Sequence, residues 1–117
     1  MRIIGGDRKG RIINPPKYFR ERPTTDRAKE GLFNTLNNDY YFDEISVLDL
    51  FAGSGNISFE FASRGCQDIT SIDNTAKYVA FIENTAKQLD MPQINAFAMD
   101  VFKFVMQDFQ KYDIVFA

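Results

Sequence analysis

The sequence predicts a three-layer α/β fold on a parallel sheet of about four strands, preceded by a small β-hairpin and a helix. Three observations carry this expectation. From residue 45 onward, short β-prone runs alternate with helical patterns, and a β-α-β-α-β-α-β order closes through right-handed crossovers over a parallel sheet. The 117 residues, 44% hydrophobic and 15% aromatic, suffice for one domain around one core. Charged residues at 26%, with 4 Pro and 7 Gly, exclude disorder, collagen and coiled coil.

Arg2 to Gly5 and Arg11 to Asn14 are β-prone runs around Asp7-Arg8-Lys9-Gly10, whose glycine can take the positive φ of a hairpin turn. Pro15-Pro16 stops further pairing, and Lys17 to Pro23 reads as an extended, charged linker. Thr24-Thr25-Asp26 offers oxygens to the free N–H groups of a helix start. Ala28, Leu32, Phe33 and Leu36 follow at helical spacing, and Asn37-Asn38-Asp39 ends the pattern. Tyr40-Tyr41-Phe42 is expected to pack ahead of the first strand.

Strands are predicted over Ile45 to Leu50, Ile69 to Ile72, Ile94 to Ala98 and Tyr112 to Ala117. Between them lie helices over Ile57 to Arg64, closed by Gly65, over Thr75 to Leu89, and over Val101 to Gln107. The middle helix carries Val79, Ile82 and Ala86 on one face. There are no internal repeats or low-complexity segments.

The net charge of −2 conceals an asymmetry. Residues 1–30 hold nine basic against four acidic residues, a net +5, and residues 31–117 hold five against twelve, a net −7. A basic arm on an acidic body suits a surface that meets a polyanion, the alternative being a solvated N-terminus. No apolar run approaches the roughly 20 residues of a membrane span, and nothing near Met1 resembles a secretory signal. A single cysteine, Cys66, allows no internal disulfide, and with no histidine beside it a small buried residue is expected there rather than a nucleophile or metal ligand. A cytoplasmic protein without a metal site or membrane partner is expected.

Chemistry concentrates in Val47-Leu48-Asp49-Leu50-Phe51-Ala52-Gly53-Ser54-Gly55-Asn56. An apolar strand ends in an acid, turns through two glycines and enters a helix, so backbone N–H groups can face a ligand at the carboxyl edge of a sheet. The alternative is an ordinary strand-to-helix turn. A dinucleotide fingerprint would need a third glycine at position 58, which holds Ser58, and no Walker loop occurs. The D-x-F-x-G-x-G spacing resembles the first motif of class I S-adenosylmethionine-dependent methyltransferases, in which the strand acid and glycines surround the methionine part of the cofactor. That resemblance implies a Rossmann-like sheet and S-adenosylmethionine as cofactor.

Asp73 ends the second strand 24 residues after Asp49, where a carboxylate can accept both ribose hydroxyl hydrogens or, alternatively, cap the next helix. Asp100 follows the third strand, where the resemblance implies a hydrogen bond to the adenine amino group and the alternative is again a cap. Phe51 inside the motif and Val101 after Asp100 complete the candidate cofactor set of Asp49, Phe51, Gly53, Gly55, Asp73, Asp100 and Val101.

Arg2-Ile3-Ile4-Gly5-Gly6, Lys9-Gly10-Arg11, Arg22-Pro23-Thr24-Thr25-Asp26-Arg27, Leu32-Phe33-Asn34 and Ser63-Arg64-Gly65 narrow the resemblance. With the first motif they are similar, along the whole chain, to the bacterial methyltransferase family that modifies a guanine N2 of 16S ribosomal RNA. The resemblance implies 16S ribosomal RNA or the small ribosomal subunit as partner. The basic candidates for RNA contact are Arg2, Arg8, Lys9, Arg11, Arg20, Arg22 and Arg27, with Tyr18 and Phe19 as rings that could stack on unpaired bases. In that family a D/N-P-P-Y segment after strand four holds the amine to be methylated; here Asp113 to Ala117 stands where it would begin, so no catalytic residue is assigned.

The expected division is a basic hairpin and linker over 1–23 and the N-terminal half of the methyltransferase domain over 24–117. An edge strand at 112–117 with Ile114, Val115 and Phe116 uncovered is expected to self-associate or to be covered by the chain itself. The competing readings are a non-catalytic nucleic-acid or cofactor-binding module and a DNA amino-methyltransferase.

Overall fold

Alternating β-branched and aliphatic residues put the four predicted strands side by side in the computed structural model, which describes residues 1–19, 24–107 and 110–117. The strands are β1 (Ser46–Leu50), β2 (Asp68–Asp73), β3 (Ile94–Ala98) and β4 (Ile114–Phe116), all parallel in the order β3-β2-β1-β4. The helices are α1 (Asp26–Asp39), α2 (Asn56–Ser63), α3 (Ala76–Gln88) and α4 (Val101–Gln107), and they connect or precede the strands in the expected sequence. The order places β1 between β2 and β4, with β3 at the far edge beside β2.

Successive side chains along a strand face opposite ways, and the two faces have separate cores. Val47 and Ile69, paired in register and fully buried, join Phe33 of α1, Phe59 and Phe61 of α2 and Ile82 of α3 in the larger core. Leu48, Leu50 and Ile72 point the other way and pack with Val101 of α4. All eight residues of α2 are buried, so this short helix lies at the centre of the molecule. Phe33, Phe42 and Phe61 meet edge to face, with ring centroids 4.6 to 6.0 Å apart.

One expectation is borne out and two are modified. The N-terminal runs pair antiparallel as a small hairpin about the Arg2–Ile12 bridge, with Ile3 N–H donating to the Arg11 carbonyl, Gly10 N–H to the Ile3 carbonyl and Ile13 N–H to the Met1 carbonyl. Further backbone groups of this hairpin bind α2: Ile4 and Gly5 donate to the Glu60 carboxylate, Asp7 to the Ser63 carbonyl and Arg8 to the Ser63 hydroxyl. Ile3 and Ile13 enter the larger core. The last strand is three residues, not six, and Ile114 and Phe116 pack against that core, leaving Val115 alone of the three exposed, at 55%. In the aromatic run before β1, Phe42 is buried while Tyr41 is exposed.

Candidate functional site

The loop from β1 to α2 carries three positive backbone angles in five residues, at Phe51 (φ 55), Gly53 (φ 57) and Gly55 (φ 83). Gly55 is required twice over. Its φ is one that side chains rarely adopt, and a Cβ there would lie 2.9 Å from Phe59 and 3.0 Å from Ile82, inside the core. The loop is held from the neighbouring strand: Ala52 N–H donates to the Ile72 carbonyl at 2.9 Å, and Gly53 N–H donates to Asp73 Oδ2 at 2.9 Å.

Asp73 is 5% exposed, and its Oδ1 accepts the Thr75 N–H at 2.9 Å. A carboxylate has about four acceptor positions, and two are used. The remaining capacity matches a vicinal diol, which brings two O–H donors. The loop therefore fits S-adenosylmethionine by the acceptor capacity of Asp73, which matches ribose hydroxyls, beside a turn whose own N–H groups at Ala52, Gly53 and Gly55 fix its shape. The half-exposed Phe51 ring, edge to face with Phe102 at 6.4 Å, adds an apolar wall at the same end of the sheet.

The other candidates are placed differently. Asp49 is 2% exposed and faces into the protein, where Oδ2 accepts the Ser58 hydroxyl at 2.6 Å; Ser58 also meets the Ser71 hydroxyl at 2.7 Å. Asp49 thus ties β1 to α2 and β2 beneath the loop. Asp100 is exposed, and its Oδ1 accepts the Lys103 N–H at 3.0 Å, the geometry of a helix cap. Val101 is buried in the smaller core.

Of the basic arm, Arg2 pairs with Asp26 at 2.9 Å and remains half exposed, while Lys9, Arg11 and Arg27 are exposed. Arg8 is committed elsewhere, with Nε donating to the Leu89 carbonyl at 2.9 Å and Nη1 3.2 Å from Asp7. Arg20 and Arg22 lie outside the described residues. Tyr18 and Phe19 dock on α3: Phe19 stacks on Tyr78 with centroids 4.1 Å apart, and Tyr18 stacks on Phe19 at 5.1 Å. Cys66 is fully buried, its Sγ 3.4 Å from the Ile45 carbonyl, and burial pushes its thiol up from the ordinary value.

A buried charge cluster escaped the sequence reading. Lys29, 1% exposed, reaches the Arg2 carbonyl at 2.6 Å, Asn56 Oδ1 at 2.8 Å and Glu60 Oε1 at 3.1 Å. Glu60, fully buried, also takes Arg64 Nε at 2.7 Å. The cluster joins the arm to Asn56, the residue that follows the loop, and Ser54 in the loop donates to Met1 Sδ at 3.4 Å. Its signals in the sequence are a lysine four residues before Phe33 on an apolar stripe and one acid inside Ile57-Ser58-Phe59-Glu60-Phe61-Ala62.

The family described as conserved hypothetical protein 95 matches residues 1–117. Ribosomal RNA small subunit methyltransferase D of Escherichia coli is 37% identical over 120 aligned positions, covering 100% of this chain and 58% of that protein. The solved structure of the Escherichia coli protein yhhF superposes with a TM-score of 0.86 at 29% identity, covering 98% of this chain and 61% of that one. Coclaurine N-methyltransferase bound to N-methylheliamine and SAH shares the fold, with a TM-score of 0.63 at 24% identity over 84% of this chain and 29% of that one. The chain spans between 41% and 61% of the length of the curated bacterial relatives it matches.

Proposed function

Because the chain belongs to the conserved hypothetical protein 95 family, we propose that it binds S-adenosylmethionine and serves methyl transfer to the exocyclic N2 of a guanine in 16S ribosomal RNA. The observation that carries the reading is Asp73, a buried carboxylate that holds the glycine turn by one oxygen and keeps acceptor capacity for a ribose. The match along the whole chain to a small subunit ribosomal RNA methyltransferase supports the substrate class, and the Arg22-Pro23-Thr24-Thr25-Asp26-Arg27 segment supports the guanine amine. A cytoplasmic setting fits an RNA target and one buried thiol.

When bound, the cofactor supplies a methyl group already activated by its positively charged sulfur, so the chain needs no covalent nucleophile. Its task is to fix the donor in one orientation. Asp73 does this beside the turn at residues 51–55 that it holds, and Asp49, Ser58 and Ser71 keep the turn in shape from below. The exposed arm cations offset the cost of drawing the target base from its stack by contacting phosphates.

Asp73→Ala in the whole protein is expected to weaken S-adenosylhomocysteine binding by about 1.5–3 kcal/mol, the range for hydrogen bonds to a charged group. Calorimetry reads this directly, and an unchanged affinity removes the ribose assignment. The arm makes a second expectation. Neutralising Arg2, Lys9, Arg11 or Arg27 should each lower the slope of log K against log salt for single-stranded RNA by roughly 0.7. Arg8, bound to the Leu89 carbonyl, should change that slope least. Salt-independent binding would return the arm to a merely solvated surface.

A further inference from the structure

We propose that the groove between the N-terminal arm and α3 is a second RNA subsite that holds one unpaired nucleobase, apart from the loop that would hold the cofactor. The inference rests on the reading that the protein acts on RNA. The groove has a volume of about 500 Å³, within the roughly 300–1,000 Å³ of ligand clefts. Arg11, Asn14 and Tyr18 form its arm side, and Phe81, Asn84 and Gln88 its α3 side.

Three features match this wall to a base. First, no carboxylate lines it among the described residues, although the chain has 16 acidic residues. A neighbouring groove of about 510 Å³ between α3 and β3 has Glu83 and Asp90 in its wall and would repel RNA. Second, the amides of Asn14, Asn84 and Gln88 make no hydrogen bond within the described chain, so each offers two N–H donors and a carbonyl acceptor. The edge of a base carries both donors and acceptors, whereas a phosphate only accepts. Third, Tyr18 stands 44% exposed at the groove with its ring held against both Phe19 at 5.1 Å and Tyr78 at 6.3 Å, which stack on each other at 4.1 Å.

That stack is held before any ligand arrives, so a base meeting it orders little new. Pro15 and Pro16 stiffen the segment between Asn14 and Tyr18. Phosphates on either side of the base have cations to meet: Arg11 lines the groove, and Lys77 Nζ lies 5.5 Å from the Tyr18 ring centroid.

The test is fluorescence anisotropy of the whole protein with a labelled single-stranded RNA over a salt series. Tyr18→Ala, and separately the double variant Asn84→Ala with Gln88→Ala, should each bind about tenfold more weakly, as loss of one stacked or hydrogen-bonded base does. The salt slope should not move, because a base contact releases no counterions. Asn84 and Gln88 are exposed, so the double variant keeps its melting temperature even if Tyr18→Ala loosens the arm. An oligonucleotide with abasic sites should bind the unmodified protein about tenfold more weakly and show no further loss on the double variant. Full affinity in the double variant, or a slope reduced by roughly 0.7, overturns the subsite. An unmodified protein that binds no RNA overturns the proposed function together with it.

Discussion

Glu60→Leu is expected to cost about 3–5 kcal/mol of stability, because it strands a charge that the core cannot solvate. Lys29 Nζ is 1% exposed, and without Glu60 it keeps a carbonyl and an amide oxygen but no counter-charge. The N–H groups of Ile4 and Gly5 lose their acceptor at the same time. Pairing the substitution with Lys29→Met should recover part of the loss, since two apolar side chains of similar volume leave no buried charge between them. Urea unfolding of both variants decides the matter: a single variant as stable as the parent, or a double variant worse than the single, removes the ion pair from the account.

The same cluster sets an acid dependence. Burial alone would push the Glu60 carboxyl up, but the Ile4 N–H, Arg64, the Gly5 N–H and Lys29 together hold it below its ordinary 4.5. Because the folded value lies below the unfolded one, the unfolded chain binds this proton more tightly. The stabilisation is therefore whole above about pH 4.5 and drains away as the pH falls through the folded value. In Glu60→Gln that part of the acid limb should be missing.

What the sequence made legible follows from periodicity and its failures from partners distant in the chain. The parallel sheet could be reached because alternating strands and helices close through right-handed crossovers, and Thr25 was readable as a cap because its acceptor role is local. Asp73 and Asp100 look alike in sequence, each an acid just past a strand. Their different surroundings come from the sheet: β2 lies beside β1, so Asp73 reaches the Gly53 N–H, whereas Asp100 beyond the edge strand β3 caps its own helix. Ser58 was legible only as a missing glycine, yet its hydroxyl links Asp49 to Ser71. The arm was legible as a hairpin because its two β-prone runs pair with each other, whereas its docking on α2 rests on Glu60 and Ser63, more than fifty residues away in the chain.

Gly6→Ala is expected to peel that arm from the body. At φ +82 an alanine is strained, and its Cβ would overlap the backbone carbonyl of Ser63. A side chain in the way could rotate aside, but this obstacle is the last turn of a helix buried along all its length, so the arm must yield. Yielding breaks the bond from Asp7 N–H to the Ser63 carbonyl at 2.8 Å and that from Arg8 N–H to the Ser63 hydroxyl at 3.0 Å, and pulls Ile4 and Gly5 off Glu60. Strain of about 1–3 kcal/mol adds to these losses. Gly10→Ala is the natural control: its φ of +87 carries the same strain, but nothing lies within 4 Å of the added carbon. Hydrogen exchange should find the amides of residues 3–13 open in Gly6→Ala and protected in Gly10→Ala, with β1 and β2 protected in both. Because the arm carries Arg2, Lys9 and Arg11, RNA affinity should fall with the docking in Gly6→Ala alone. Equal protection in the two variants would mean that the Ser63 contact does not hold the arm.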